Sequence, residues 1–493
     1  MIKIKIMGKL SQLEPKEVWK YFEEICAVPR PSKKEEKIIE YIKQFGIKHN
    51  LATKVDKIGN VLIQKPATKG WEDRATIILQ SHMDMVCEKN SDVKFDFEKD
   101  AIQPYIDGEW VKAKGTTLGA DDGIGMAAQL ALLASKTIEH GDIECLFTVD
   151  EETGLTGAFA LEPGFMKGKI LLNLDSEDEG EIFIGCAGGI DTVAILEYAP
   201  KSIPSKSKAF ALKVSGLKGG HSGDEIDKGL GNSNKIATRF MMQASKLTDV
   251  RIASFDGGNL RNAIPREATV IFVAPKGDSI PLKNLCEKFY TEIKNELKST
   301  EPNVLVEITS ADMPKHVINR KAQEKLLNAL HGVWHGVVEM SRDIPGLVET
   351  STNLASVKFI GKNRIEITTS QRSSVESQKQ AIAQTVASVF ELADAGIEHS
   401  SGYPGWQPNT KSPILEISVK AYKDLFGKKP LVRAIHAGLE CGLFLKKYPD
   451  LDMISFGPTL RDVHSPDERI HIGSTQKFWD FLIEVIQKAP LKK

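Results

Sequence analysis

Four short apolar runs constrain the fold of this chain more than any other feature. Residues 75–79 (ATIIL), 143–149 (IECLFTV), 170–174 (ILLNL) and 453–456 (MISF) are β-rich and apolar on both alternating faces. Such strands are stable only where both faces of a sheet are covered. Helical spacing falls between and around them, at 15–26, 33–45, 123–135 and 475–488. The last places apolar residues at 478, 481, 482, 485 and 486, one face of a helix. The first two are separated by the turn Pro29-Arg30-Pro31-Ser32. The pattern predicts an α/β fold, a mainly parallel sheet with helices on both faces.

The middle of the chain has a different period. Strand-like pieces at 209–214, 268–273, 304–308, 356–360 and 364–369 alternate with long helical patterns at 282–297, 322–340 and 376–393. Alternating apolar and polar strands suit an antiparallel sheet covered on one face, an α+β domain. The β-rich pattern of the first part returns only afterwards. The expected organisation is a discontinuous α/β domain, 1–206 and 398–493, interrupted by an inserted α+β domain at 207–397, with hinges near 200–207 and 397–405.

At 493 residues the chain exceeds one compact core, and 41% hydrophobic and 27% charged residues are ordinary globular composition. Lys+Arg is 65 against Asp+Glu 66, a net charge of -1 that leaves no electrostatic footprint for nucleic acid or an anionic membrane. Six scattered cysteines without C-x-x-C spacing read as reduced thiols. The opening MIKIKIMGKL lacks a continuous apolar h-region, and the longest apolar stretch, 125–134, is too short to span a bilayer. The cytoplasm is the expected location.

Each apolar run leads into acids or histidine. The run at 75–79 precedes Ser81-His82-Met83-Asp84, the second precedes Glu151-Glu152, the third Asp175-Ser176-Glu177, and the fourth a loop ending in His464. A fifth loop, Gly119-Ala120-Asp121-Asp122-Gly123, opens a helix. Open α/β sheets bind ligands at the carboxyl ends of their strands. So many carboxylates share a water-poor site only if cations neutralise them. Imidazole and carboxylate without thiolate suit zinc, and also cobalt or manganese. Two histidines and at least three acids suit two ions about 3.5–4 Å apart, bridged by a carboxylate and a water. In His82-x-Asp84 the two side chains point the same way along an extended chain, so Asp84 can fix the imidazole tautomer. Adjacent Glu151 and Glu152 point to different sides, one free to bind metal and the other to act as base.

The segments SHMDMVCEKN, GTTLGADDGIGMA, VDEETGLTGA, LNLDSEDEGEIFIGCAGG, LKGGHSG and HAGLECGLF, in this order, resemble the aminoacyl-histidine dipeptidases. These Xaa-His or cytosolic non-specific dipeptidases are a branch of the dinuclear-zinc aminopeptidase and carboxypeptidase superfamily. The resemblance implies hydrolysis of dipeptides with a free N-terminus, including β-alanyl-histidine, with two zinc ions per chain that cobalt or manganese can replace. It implies that Asp121 bridges the ions, that His82 and Asp175 complete one site, and that Glu152 and His464 complete the other. Asp84 then orients His82, and Glu151 is the general base toward a metal-bridging water. His221 in GGHSG becomes an oxyanion donor of the inserted domain, a lid, with Asn262, Arg372 and His436 as substrate-binding candidates. The resemblance further implies a homodimer through the lid, with His221 acting in its own chain or in the partner's.

Singly, these residues have plainer readings. His82 alone is a packed or capped histidine, Asp121-Asp122 a charge favourable to a helix start, Glu151-Glu152 a solvated turn. Five together at consecutive strand ends outweigh them. His436 and Glu440, at i and i+4 of an expected helix, either approach the site or merely pair. His331 and His335 share that spacing, but no Glu follows His331, so they read as a lid-helix surface. Cys87 and Cys186 are not needed as nucleophiles where a metal supplies hydroxide. Alternative functions are another amide hydrolase of the superfamily, such as an acyl-amino-acid deacylase or tripeptidase, or a non-catalytic metal-binding scaffold.

Overall fold

The computed structural model describes residues 10–492, so the expectation for the opening segment falls, except for Leu10, outside the described residues. The chain forms two compact units: Met1–Gly185 with Pro408–Ala434 and Leu439–Lys493, and Cys186–Gln407 with Ile435–Gly438.

The first unit carries an eight-stranded sheet in the order Ala52–Val55, Val61–Lys65, Ile143–Thr148, Ile77–His82, Ile170–Asn173, Asp452–Ser455, Glu181–Cys186, Leu431–Ile435. Its four central strands are the four apolar runs, and they are mutually parallel. Antiparallel strands flank them. The strands Ile77–His82, Ile143–Thr148 and Ile170–Asn173 are buried at every residue. The register sets Ile77 opposite both Ile143 and Ile170, so the carboxyl ends of these strands lie at one edge. The helix Ala120–Ala134 packs on the strand Ile77–His82 and on the helix Lys16–Cys26. It is buried almost throughout, and its small residues allow the close approach: a Cβ on Gly123 would come within 3.3 Å of the Phe22 ring.

The second unit is built on an antiparallel sheet, in the order Leu305–Ser310, Ser207–Ser215, Ala268–Pro275, Arg251–Gly257, Val348–Ile360, Arg364–Ser373, Gly188–Glu197, Gly396–His399, with Gly336–Met340 also pairing to Val348–Ile360. The helices Ser233–Leu247, Ser279–Glu296, Arg320–Gly332 and Glu376–Glu391 contribute buried side chains to a core shared with the sheet, in which Phe210 stacks on Phe272 at 5.5 Å between ring centroids.

Three expectations need correction. The chain enters the second unit at Cys186 rather than near 200–207, because Gly188–Glu197 pairs with Arg364–Ser373 and Gly396–His399. It leaves at Gln407, beyond the expected hinge at 397–405, and 435–438 rejoin the second unit. The helix expected over 322–340 stops at Gly332: Gly336 has φ +113°, and Val337-Val338 continue as an extended strand, which β-branched residues favour.

Candidate active site

The ligand-type residues of the first unit are delivered by the carboxyl ends of its parallel strands. His82 is the last residue of Ile77–His82, Glu151 opens a short turn of helix three residues beyond Thr148, and Asp175 follows Ile170–Asn173 by two residues. Asp121 stands at the entrance of Ala120–Ala134, where its own dihedrals and those of Asp122 are not yet helical. His464 lies in the loop between Leu460–Arg461 and Arg469–His471, with φ +61°.

Asp121 sits between two imidazoles. Its Oδ1 is 3.1 Å from His82 Nε2, and its Oδ2 is 3.2 Å from His464 Nε2. His82 Nε2 is also 3.3 Å from Asp175 Oδ1, and His464 Nε2 is 3.1 Å from Glu152 Oε2. Two three-residue groups therefore meet, His82–Asp121–Asp175 and Asp121–Glu152–His464, sharing one carboxylate. Glu151 makes no ion pair among the described residues, although one oxygen of it, one of Glu152 and a nitrogen of His82 lie within 4.8 Å of one another.

The electrostatics favour bound cations. No Lys or Arg pairs with Asp121, Glu151, Glu152 or Asp175 among the described residues. Burial, opposed by His82 and reinforced by the charge of Asp121, pushes the Asp175 carboxyl well above the usual range. Burial and the neighbouring carboxylates of Asp175, Glu440 and Glu152 do the same to Glu151. Against burial, the imidazoles of His464 and His82 hold Asp121 far below it. Hydrogen bonds to Asp121 and Glu152 raise His464 to about 11. A site that must either protonate its acids or charge its histidines is relieved by divalent cations, and Glu152 Oε1, buried and without a hydrogen-bond partner, is a ready ligand atom. The donor set of imidazole nitrogen and carboxylate oxygen fits zinc, cobalt or manganese.

Asp84 does more than the His82-x-Asp84 spacing promises. Its Oδ1 is 3.4 Å from His82 Nδ1, and its carboxylate accepts the backbone N–H of Glu151 at 3.0 Å and of Glu152 at 3.3 Å. It thereby fixes the His82 strand end and the Glu151-Glu152 turn at once. The turn after the first helix, which in the sequence reads as punctuation, holds them from outside. Arg30, 3% exposed, donates to the carbonyls of Met83 at 3.0 Å, Asp84 at 2.5 Å and Gly119. Ser32 Oγ donates to Asp84 Oδ2 at 2.8 Å, and Glu35 accepts the N–H of Asp150 at 3.0 Å. A basic residue followed by Ser and, three residues later, an acid was the only signal. Glu440 was left open in the sequence. Its Oε2 accepts from Gln80 Nε2 at 2.6 Å and Thr148 Oγ1 at 2.8 Å, tying two central strands near their carboxyl ends, and burial raises its carboxyl to about 7.

His436 and Glu440 do not share a helix. The helix is Glu440–Lys447, preceded by the extended Leu439, and His436 belongs to the second unit. There His436 Nε2 lies 2.7 Å from Ser351 Oγ, and burial, then Arg372, lowers the imidazole to about 3, keeping it neutral. Arg372 is 6% exposed, donates to Tyr403 Oη at 2.9 Å and has its Nε buried without a hydrogen-bond partner. His221 pairs across a short ladder with Ala263, Asn262 accepts the N–H of Ser222 at 2.8 Å, and a Cβ on Gly223 would meet both His221 and the carbonyl of His436. His221 Nδ1 is engaged by Asp224, its N–H at 3.2 Å and Oδ2 at 3.3 Å, which leaves Nε2 for other partners. The second unit thus brings His221 together with Asn262 and His436. His331 and His335 enter neither site: His331 lies in the last turn of Arg320–Gly332, and His335, beyond that helix, has its Nδ1 3.3 Å from Asn232 Nδ2.

The family model of peptidase family M20/M25/M40 matches residues 78–488. The chain belongs to this family. It is 45% identical over 488 residues, 99% of this chain and 100% of the relative, to the cytosol non-specific dipeptidase of Escherichia coli (strain K12). It superposes on the crystal structure of an aminoacylhistidine dipeptidase from Vibrio alginolyticus with TM-score 0.91 and 44% identity, covering 99% of each chain. The aminopeptidase PepT of Bacillus cereus, at 18% identity and TM-score 0.58 over 97% of this chain and 99% of that one, shares the fold.

Arg30→Met keeps the bulk of the stem but leaves three carbonyls without their donor. It should destabilise the protein by about 3 kcal/mol or more, and Arg30→Lys should recover only part, since one ammonium does not replace a planar fork spanning two loops. Urea unfolding of both variants checks this, and a loss of under about 1 kcal/mol for Arg30→Met would contradict the clamp.

Proposed function

We propose that this protein is a metal-dependent dipeptidase that hydrolyses dipeptides with a free N-terminus, Xaa-His substrates such as β-alanyl-histidine among them. The carrying observation is the shared carboxylate: Asp121 offers one oxygen toward His82 and the other toward His464, each with its own further acid. This supports a dinuclear centre held by His82, Asp121 and Asp175 on one side and Asp121, Glu152 and His464 on the other. The dipeptidase names of the E. coli and V. alginolyticus relatives support the substrate class.

Two zinc-type ions, when bound, supply Lewis acidity toward a peptide carbonyl and lower the pKa of water. The protein's own groups do the rest. Asp84 holds the ring of His82 and the Glu151-Glu152 turn. Glu151, without an ion pair among the described residues, accepts a proton from the attacking water and passes it to the leaving amine. His221 donates from Nε2 to the developing oxyanion, and Arg372, Asn262 and His436 hold the substrate's carboxylate. The buried, unpartnered Nε of Arg372 supports that last role. The proposed assembly is a homodimer through the second unit, supported by the outer strand Gly336–Met340 with Trp334 and Met340 exposed. The proposed location is the cytosol, supported by the name of the E. coli relative.

The deciding experiment is hydrolysis of a dipeptide panel with free and acylated N-termini, with and without chelator. Free dipeptides should be cleaved, chelator should abolish the activity, and Zn²⁺, Co²⁺ or Mn²⁺ should restore it. Preferential cleavage of acylated amino acids or tripeptides would replace the dipeptidase reading, and full activity with one ion by elemental analysis would replace the dinuclear one.

The adjacent glutamates have opposite jobs. Glu151→Gln should keep both ions and change KM little while kcat falls by about 10²–10⁴. Glu152→Gln should lose metal as well as activity. The reverse pattern in elemental analysis would exchange the two roles.

His221→Ala should leave metal content unchanged and lower kcat by about 10²–10³, the loss of one oxyanion donor. Normal turnover in this variant would reduce the GGHSG segment to a glycine-rich turn.

A further inference from the structure

Glu468 lies four residues beyond His464 and is 2% exposed. Its carboxylate accepts four consecutive backbone N–H groups from the loop that carries Asp121. Oε2 takes those of Leu118 at 2.7 Å and Gly119 at 2.9 Å, and Oε1 takes those of Ala120 at 2.7 Å and Asp121 at 3.4 Å. Gly119 turns through φ +68°, which lets successive N–H groups converge on one acceptor. On the other side of the same loop Arg30 takes the Gly119 carbonyl. Glu468 is itself anchored: its N–H donates to the Ser465 carbonyl at 3.1 Å, and the next residue opens the strand Arg469–His471, paired with Trp110–Ala113.

A fully buried carboxylate beside an already acid-rich centre costs free energy, and a neutral amide would accept fewer of these bonds. Its geometry explains its presence. One short stretch of chain, 464–468, supplies a ligand at one end and at the other grips the loop bearing the shared carboxylate. The spacing between His464 and Asp121 is thereby fixed by four residues of backbone instead of by the metal. We propose that Glu468 is a positioning residue that sets the orientation of Asp121 as a bridge, and so tunes the affinity of both ion sites without touching an ion. This rests on the dinuclear reading of the site.

The test is Co²⁺ titration of the chelator-treated full-length protein, followed by visible absorption and by elemental stoichiometry. It compares the parent, Glu468→Gln, Asp121→Asn and the double variant. The parent should load two ions. Glu468→Gln should bind them about 10–100-fold more weakly, the range for loss of an outer partner of a metal ligand, with an altered Co²⁺ spectrum. In the Asp121→Asn background the same change should cost nothing further, because Glu468 acts through Asp121. A purely structural role would lower the unfolding midpoint of the metal-free protein yet leave Co²⁺ affinity within about twofold of the parent, and that result overturns the proposal. So does an additive loss in the double variant. If Glu468→Gln does not fold, Glu468→Asp, which withdraws the carboxylate by one methylene, is judged by the same two criteria. A parent that binds no Co²⁺ would instead overturn the dinuclear reading and the proposal with it.

Discussion

Everything around the site follows from one crowded carboxylate. Asp121 lies within about 3.2 Å of two imidazole nitrogens, and each of those nitrogens lies equally near a second acid. Coulomb repulsion between buried acids at such distances is large, so the arrangement holds only if its loops cannot relax apart. The surroundings supply that rigidity. Asp84 pins the His82 and Glu151 segments to each other, and Arg30 pins the Asp84 and Gly119 segments. Glu440 ties the strands beneath. These supports use backbone carbonyls and N–H groups as much as side chains, so the loops of the cluster are fixed in their main chain and only short side chains remain to place.

The second unit solves a different problem. Its long antiparallel strands bury one face in a core of aromatic and aliphatic side chains, while polar residues such as Thr350, Ser351, Thr352 and Asn353 run consecutively along Val348–Ile360 and are themselves buried. Buried polar groups need partners, and here they find one another: Gln371 with Thr352 and Thr369, Thr350 with Ser373, Ser351 with His436. Arg372 sits within this polar stretch, on the strand paired to it, so its guanidinium is held in a prebuilt setting instead of on a mobile surface side chain.

Much of this architecture was legible in the chain. The central strands announce themselves as doubly apolar runs, and the acids and histidines that follow them are the ones the structure brings together. Periodicity misjudged the segment 333–340, where Gly336 and paired valines overrule a helical spacing, and it missed Gly188–Glu197, whose glycine-rich start hides a long strand. The acids and histidines that the structure brings together could be found because metal chemistry restricts which side chains serve. Arg30, Ser32 and Glu35 could not, because their work is done on backbone atoms far along the sequence, and no local pattern distinguishes a buried guanidinium gripping three carbonyls from one in a solvated turn.

The sheet order also dictates a timetable for synthesis. Three of the four central strands lie within the first 173 residues, but the fourth, Asp452–Ser455, and His464 follow more than 200 residues of inserted chain. While the ribosome works through the insertion, the nascent first unit has an open sheet edge along Ile170–Asn173 and a half-built cluster of acids. The inserted sheet draws its strands from one nearly continuous stretch and can close on itself meanwhile. Asp121 is among the early residues and His464, one of its two imidazole neighbours, among the last, so the cluster of acids and imidazoles is complete only once translation has passed residue 464.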